Sequence, residues 1–362
     1  MSLVDIPAIV MRGGTSRAPY FLARDLPSER EAMGRVLIAA MGAGSPLQVD
    51  GIGGGQPTTS KTAILSPSDD GWAEVDYLFA QVHAERAEVD FGPSCGNILA
   101  GVGPAAIELG LVRPRGETTA VRIRNVNTGA RIEAIVETPD GRVNYDGEAR
   151  IDGVPGSSAP VLLNFRDVVG SKTGALFPTG EARESVQGIE VTCIDVAMPM
   201  VIARAADLGI SGYETRDELD ANGALFAAIE RVRLEAGTRM GLGDVSKSVV
   251  PKFGVLAAPR EGGAVAARYF MPWKTHPSFA VTGAVCASSC LAAPGTVAEG
   301  LAILPDARPM PIAIEHPTGR IDVVLDADRT ADGLDLRSAG LLRTARRLMR
   351  GTISVPAAAC GG

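Results

Sequence analysis

The chain is 362 residues long, 46% hydrophobic and 21% charged, with 35 Lys and Arg against 42 Asp and Glu and a formal net charge of −7. That length suits two domains of moderate size, and the balance excludes a disordered chain. The cations are scattered rather than striped, which excludes the footprint of a nucleic-acid binder, and no run approaches the ~18 apolar residues of a membrane span.

Taken in order, short strands are predicted at residues 8–11, 63–65, 76–82, 121–124, 132–137 and 161–164, each bounded by Gly, Pro, Asp or Asn. Apolar residues at three- and four-residue intervals predict an exposed helix at 29–41. Segment 95–112 is apolar or small on every side, so it predicts a helix buried all round, opening on the turn Ser94-Cys95-Gly96-Asn97. The turn-rich stretch 170–188 is the predicted hinge. Beyond it the texture resumes, with strands at 189–195, 200–203, 253–257, 264–270, 310–315 and 321–325, an exposed helix at 221–235 and a second all-apolar helix at 282–293. The closing run 341–355 is predicted to cross back to the first half. The fold class is therefore α+β, as two similar lobes of strands wrapped around one central helix, the first lobe taking 1–184 with 343–362 and the second 185–342.

The five cysteines, Cys95, Cys193, Cys286, Cys290 and Cys360, are odd in number and irregularly spaced, which predicts free thiols rather than a disulfide framework. His83, His276 and His316 lie far apart, so neither a metal nor a cofactor is expected. The first ten residues lack a leader pattern, which predicts a cytoplasmic protein, and the assembly expected is the homodimer, the commonest closed arrangement.

Three motifs carry chemistry. Thiols at helix N-termini ionise more readily than the usual ~8.5, so Cys95 is a candidate acid or base, with the Gly96 and Asn97 amides placed to hold a carboxylate or enolate oxygen. A buried core cysteine is the plainer explanation, and the flanking polar turn tells against it. The segment GIGGGQPTTSKT at 51–62 approaches a nucleotide-binding loop but has Ser60 where the glycine before Lys61 belongs, and strand rather than helix follows. Nucleotide binding is therefore rejected, leaving a glycine turn at Gly54 that delivers a lysine. The segment MRGGTSR at 11–17 offers Gly14, Thr15 and Ser16 as donors and Arg12 as a carboxylate grip. In the second half, Thr282 and Gly283 open the other apolar helix, and Lys252, Lys274 and His276 are candidate positive charges. Two such helix ends facing one cleft would clamp a small anionic polycarboxylate, the expected partner, with nucleic acid and membrane excluded.

At these residues the chain resembles the PrpF family, relatives of diaminopimelate epimerase. The ordered matches are MRGGTS at 11–16, DGIGG at 50–54, TSK at 59–61, VDYLFAQV at 75–82, CGNILAGVGP at 95–104, IDGVPG at 151–156, PTG at 178–180, EVTCID at 190–195 and LGDVS at 242–246. The resemblance implies two pseudo-symmetric lobes, each a barrel around a central helix, with Lys61 and Cys95 as the acid/base pair and Ser16 at the active site. The wider superfamily's epimerases carry a second cysteine where this chain has Ala280, so a two-thiol racemase is not implied. The activity implied is a cofactor-independent isomerase or tautomerase making a 1,3-allylic proton shift on an unsaturated tricarboxylate or keto acid, first 4-oxalomesaconate in aromatic catabolism. 2-Methylaconitate cis/trans isomerisation in the methylcitrate cycle is the alternative within that chemistry. A non-catalytic polycarboxylate-binding protein is the alternative outside it.

Overall fold

The computed structural model describes residues 2–330 and 333–361. They fall into two compact units, unit 1 comprising Met1–Asn164 with Leu342–Gly362 and unit 2 comprising Phe165–Leu341.

Unit 1 contains β1 (Leu3–Gly13), β2 (Ser16–Leu22), α1 (Arg30–Met41), β3 (Lys61–Pro67), β4 (Val75–Val82), β5 (Val89–Asp90), α2 (Gly96–Leu99), α3 (Val102–Glu108), β6 (Thr118–Asn125), β7 (Arg131–Glu137) and all of β8 (Pro160–Arg166) but Phe165 and Arg166, which fall in unit 2. Unit 2 contains β9 (Glu184–Val186), β10 (Ile189–Asp195), β11 (Pro199–Arg204), α4 (Arg216–Asp220), α5 (Gly223–Arg239), β12 (Lys252–Ala257), β13 (Val265–Phe270), α6 (Val281–Ala292), β14 (Met310–His316) and β15 (Gly319–Thr330). The long β16 (Gly333–Pro356) gives its first part to unit 2 and its last part to unit 1.

The same pairing pattern occurs twice. In unit 1 the pairs β1–β2, β3–β4 and β6–β7 are antiparallel, while β2–β3 and β4–β6 are parallel. In unit 2 β10–β11, β12–β13 and β14–β15 are antiparallel, while β11–β12 and β13–β14 are parallel. The crossovers match as well. In unit 1, α1 joins β2 to β3 and α2–α3 join β4 to β6, and α5 and α6 stand at the same steps of unit 2. Lys61 and Lys252 are each the first residue of the strand after the first crossover, and Cys95 and Ala280 are each the N-cap of the helix that opens the second. β16 neighbours β8 and pairs with β1 from Leu3↔Pro356 to Gly13↔Ala345, so the strand order of unit 1 returns to its start.

Strands β3 and β4 bury both faces along most of their length. Ile64, Leu78, Ala80 and Val82 pack with Met33, Val36, Leu37, Ala40 and Met41 of α1, whose apolar residues recur at helical spacing. The opposite face, carrying Ala63, Leu65, Tyr77 and Phe79, is equally buried. α1 begins where the Glu29 carboxylate accepts from the Glu31 amide and ends at left-handed Gly42.

Two expectations need correcting. The segment 95–112 is not one helix but two short ones, α2 and α3. Pro104 has no N–H to give Ala100, and the break at Gly101 puts that proline in the first turn of α3, where the missing donor costs nothing. The stretch 170–188 is not a free hinge, because it is fastened within unit 2. Asp195 accepts from the Lys172 and Thr173 amides at 2.7 and 2.9 Å and from Ser171 Oγ at 2.6 Å, and Thr192 Oγ1 donates to Ala182 O at 2.6 Å. Among the described residues no helix is long and apolar enough to cross a membrane, and no group of three His, Cys, Asp or Glu is gathered as a metal site.

Candidate active site

In unit 1 the glycine-rich segment is held from both sides by glutamine amides. Gln48 is 1% exposed, and its Oε1 accepts from Gly55 N at 2.9 Å and Ser60 Oγ at 2.5 Å. Gln81, on β4 opposite Lys61, donates from Nε2 to Ser60 O at 2.9 Å and Pro57 O at 3.2 Å. Gly54 sits against Thr59 and the Arg17 guanidinium, which itself donates to Ile52 O at 3.3 Å. The loop thereby brings the chain into β3 at Lys61. The Lys61 amine donates to Gln81 Oε1 at 2.7 Å and stands 5.2 Å from the Phe79 ring centroid.

Side chains two apart on a strand share a face, so Gln81, Phe79 and Tyr77 line one side of β4. At the far end of that row the Tyr77 hydroxyl donates to Cys95 O at 3.3 Å. Lys61 and the Cys95 turn therefore meet the same face of the β3–β4 ladder. Burial first, and proximity to Cys95 second, hold the Tyr20 and Tyr77 phenols well above their usual pKa, so both are neutral donors. Tyr20 uses its proton on Ile98 O at 2.6 Å, anchoring α2.

Cys95 is the partly exposed N-cap of α2, and the Gly96 and Asn97 amides lie in its first turn, ahead of any intrahelical acceptor. The adjoining Ser94 Oγ accepts from Asn125 Nδ2 at 2.5 Å. The hairpin turn between β1 and β2 closes on Asn97, whose Nδ2 donates to Thr15 Oγ1 at 3.0 Å, and Gly14 adopts φ +52° there. Ser16 Oγ is buried and, among the described residues, has no hydrogen-bond partner. Arg12, expected as a carboxylate grip, is instead engaged in the turn: Nη1 donates to Gly14 O, Thr344 O and Thr344 Oγ1 at 2.9–3.0 Å, and Nη2 to Ser158 Oγ at 3.2 Å.

The remaining candidates group within unit 2. Burial, with Arg216 and Lys252 nearby, holds His276 below the usual histidine value, so it is neutral at pH 7 and supplies a hydrogen bond rather than the expected charge. Its Nδ1 accepts from Ser278 N at 3.0 Å, which leaves the proton on Nε2. Burial also lowers Lys252, with Arg233 adding to the effect. Thr282 Oγ1 donates to Met198 Sδ at 3.3 Å. A Cβ on Gly283 would lie 2.4 Å from the Tyr269 ring, so glycine is what lets α6 approach β13. Cys286 and Cys290 are fully buried inside α6, and burial pushes the Cys290 thiol to about 12, so neither replaces the sulfur missing at Ala280. A cavity of about 390 Å³ in unit 2, lined by Asp220, Phe226, Glu230, Trp273 and Lys274, takes in Lys274 alone of the sequence candidates.

Sequence reasoning missed Gln48, Tyr77 and Gln81. The signal for Gln81 was present: in VDYLFAQV it is a polar residue on the row of Val75, Tyr77 and Phe79.

The family described as PrpF protein matches residues 3–356. The (4E)-oxalomesaconate Delta-isomerase of Novosphingobium is 49% identical over 96% of this chain and 97% of its own length. The 4-oxalomesaconate tautomerase of Pseudomonas putida is 47% identical over 100% of this chain and 99% of its own. The crystal structure of methylitaconate-delta-isomerase superposes with a TM-score of 0.90 at 33% identity, covering 100% of this chain and 98% of that one.

Proposed function

Since the chain belongs to the PrpF family and is an isomerase, we propose that it moves a proton between the ends of an allylic system in 4-oxalomesaconate, with Lys61 and Cys95 as the acid/base pair. The observation that carries this reading is the shared face of the β3–β4 ladder, where the Lys61 amine lies over Phe79 and Tyr77, one step along the row, reaches Cys95.

The chemistry needs two proton transfers and no redox change. A base takes the C–H proton at one terminus, the electron pair spreads into the neighbouring carbonyl or carboxylate, the double bond shifts, and an acid returns a proton at the other terminus. Donors fixed in advance on the developing oxyanion lower the barrier most, the role assigned to the Gly96 and Asn97 amides and the orphaned Ser16 hydroxyl. One group on each terminus suits a pair of unlike residues such as an amine and a thiol. The substrate is a small anionic polycarboxylate, and the same reading has the enzyme working in the cytoplasm as a homodimer.

The test is turnover by the purified chain of 4-oxalomesaconate, followed by its ultraviolet spectrum, beside coupled conversion of 2-methylaconitate. Preference for the first supports the proposal. Preference for the second moves the substrate assignment, and binding of either without turnover removes catalysis.

A further inference from the structure

The Lys61 amine rests on a neutral amide whose orientation is fixed. Gln81 Oε1 accepts from Nζ at 2.7 Å, while Nε2 donates to Ser60 O at 2.9 Å, Pro57 O at 3.2 Å and Val82 O at 3.3 Å. Rotating the amide by half a turn would set its NH2 against the amine and its oxygen against three carbonyls, so one orientation alone satisfies every group. Among the described residues no carboxylate forms an ion pair with Lys61. The repeated topology gives a comparison inside the molecule. In unit 2 the equivalent Lys252 opens β12, but the ladder with β13 begins one residue later, at Phe253↔Phe270, so Lys252 has no ladder partner there in the place that Gln81 takes opposite Lys61.

We propose that Gln81 is the positioning residue of Lys61: it aims the amine along the row of Phe79 and Tyr77 while leaving it free to gain and lose a proton. A carboxylate in the same place would aim the amine equally well but hold it as ammonium, because an opposite charge at this distance favours the charged form by one to three pH units. A base must be neutral for part of each cycle, so a neutral acceptor is the partner that serves. The inference deepens the reading of Lys61 as a proton carrier and rests on it for its effect on turnover.

The experiment compares wild type, Gln81→Glu and Gln81→Met. Brief acylation with acetic anhydride at fixed pH, read by peptide mass spectrometry, reports the neutral fraction of each lysine, and Lys172, Lys247, Lys252 and Lys274 serve as internal controls of folding. In Gln81→Glu, Lys61 acylation is expected to slow at least about tenfold against those four, and kcat to fall with KM little changed and to recover as the pH is raised. In Gln81→Met, acylation of Lys61 is expected not to slow, while kcat falls at least about tenfold because the aim is lost. Equal acylation of Lys61 in wild type and Gln81→Glu overturns the assignment whatever the turnover, and so does wild-type kcat in Gln81→Met. Should slowed acylation accompany a wild-type protein that does not isomerise 4-oxalomesaconate, the reaction assignment falls and the role of Gln81 stands.

Discussion

Gly14 and Asn97 are shaped to one another: a Cβ built on Gly14 would lie 2.2 Å from Asn97 Oδ1, and the glycine holds φ +52°, where a side chain is strained in any case. The turn after β1 and the start of α2 are thereby fixed as one piece, with Thr15 bonded to the same asparagine. Gly14→Ala is expected to cost about 1–2 kcal/mol for the left-handed backbone and to push Asn97 aside. Turnover should fall well beyond what the loss in melting temperature explains, and a variant with wild-type kcat/KM would separate this turn from the chemistry.

Gln48 fastens the other side of the glycine loop. Gln48→Ala strips the acceptor from Gly55 N and from the buried Ser60 hydroxyl. Leaving a buried donor unsatisfied costs about 1–3 kcal/mol. Limited proteolysis should cut 51–60 faster in the variant, and unchanged cleavage and unchanged kcat together would count against the clamp.

The thiols should divide by environment. Cys193, Cys286 and Cys290 are buried and their thiols are pushed up, foremost by burial, whereas Cys95 and Cys360 are partly exposed. Iodoacetamide on the native protein is expected to modify Cys95 and Cys360 ahead of the other three, with turnover lost in step with Cys95. Activity surviving full Cys95 modification would remove the thiol from the reaction.

Acid should weaken unit 2 through Glu315. Burial disfavours its charge, but the Arg260, Gly263 and Glu261 amides outweigh that and hold the carboxyl below the usual range. With the folded pKa depressed, its stabilisation is complete above the unfolded value of ~4.3 and is lost as the pH falls through the folded one. Glu315→Gln is therefore expected to lower the melting temperature at pH 7 and to narrow its gap from wild type as the pH drops below about 4. A gap independent of pH would show that charge is not what the three amides hold.

How much of this could be read in advance follows from which forces are local. Strands such as Ile189–Asp195 and the one-sided helix at Arg30–Met41 were legible because alternation, helical spacing and caps are written in neighbouring residues. Lys61 and Cys95 stood out from motif and resemblance. The engagement of Arg12 with Thr344 and of Lys61 with Gln81 joins residues 332 and 20 apart, and nothing in a short window specifies such a pairing. The break at Gly101 was legible in principle from Pro104, but the run of apolar and small residues across 95–112 outweighed it. Neutral His276 was not, because its state is set by burial and by cations brought in from elsewhere in the fold.

The most direct measurement is the turnover number of Lys61→Ala and Cys95→Ser on 4-oxalomesaconate, beside wild type at matched fold and concentration. A positioned acid or base contributes at least about 10²-fold, so each variant should fall by that factor or more. Wild-type turnover in either variant would contradict the assignment of that residue, and wild-type turnover in both would end the mechanism.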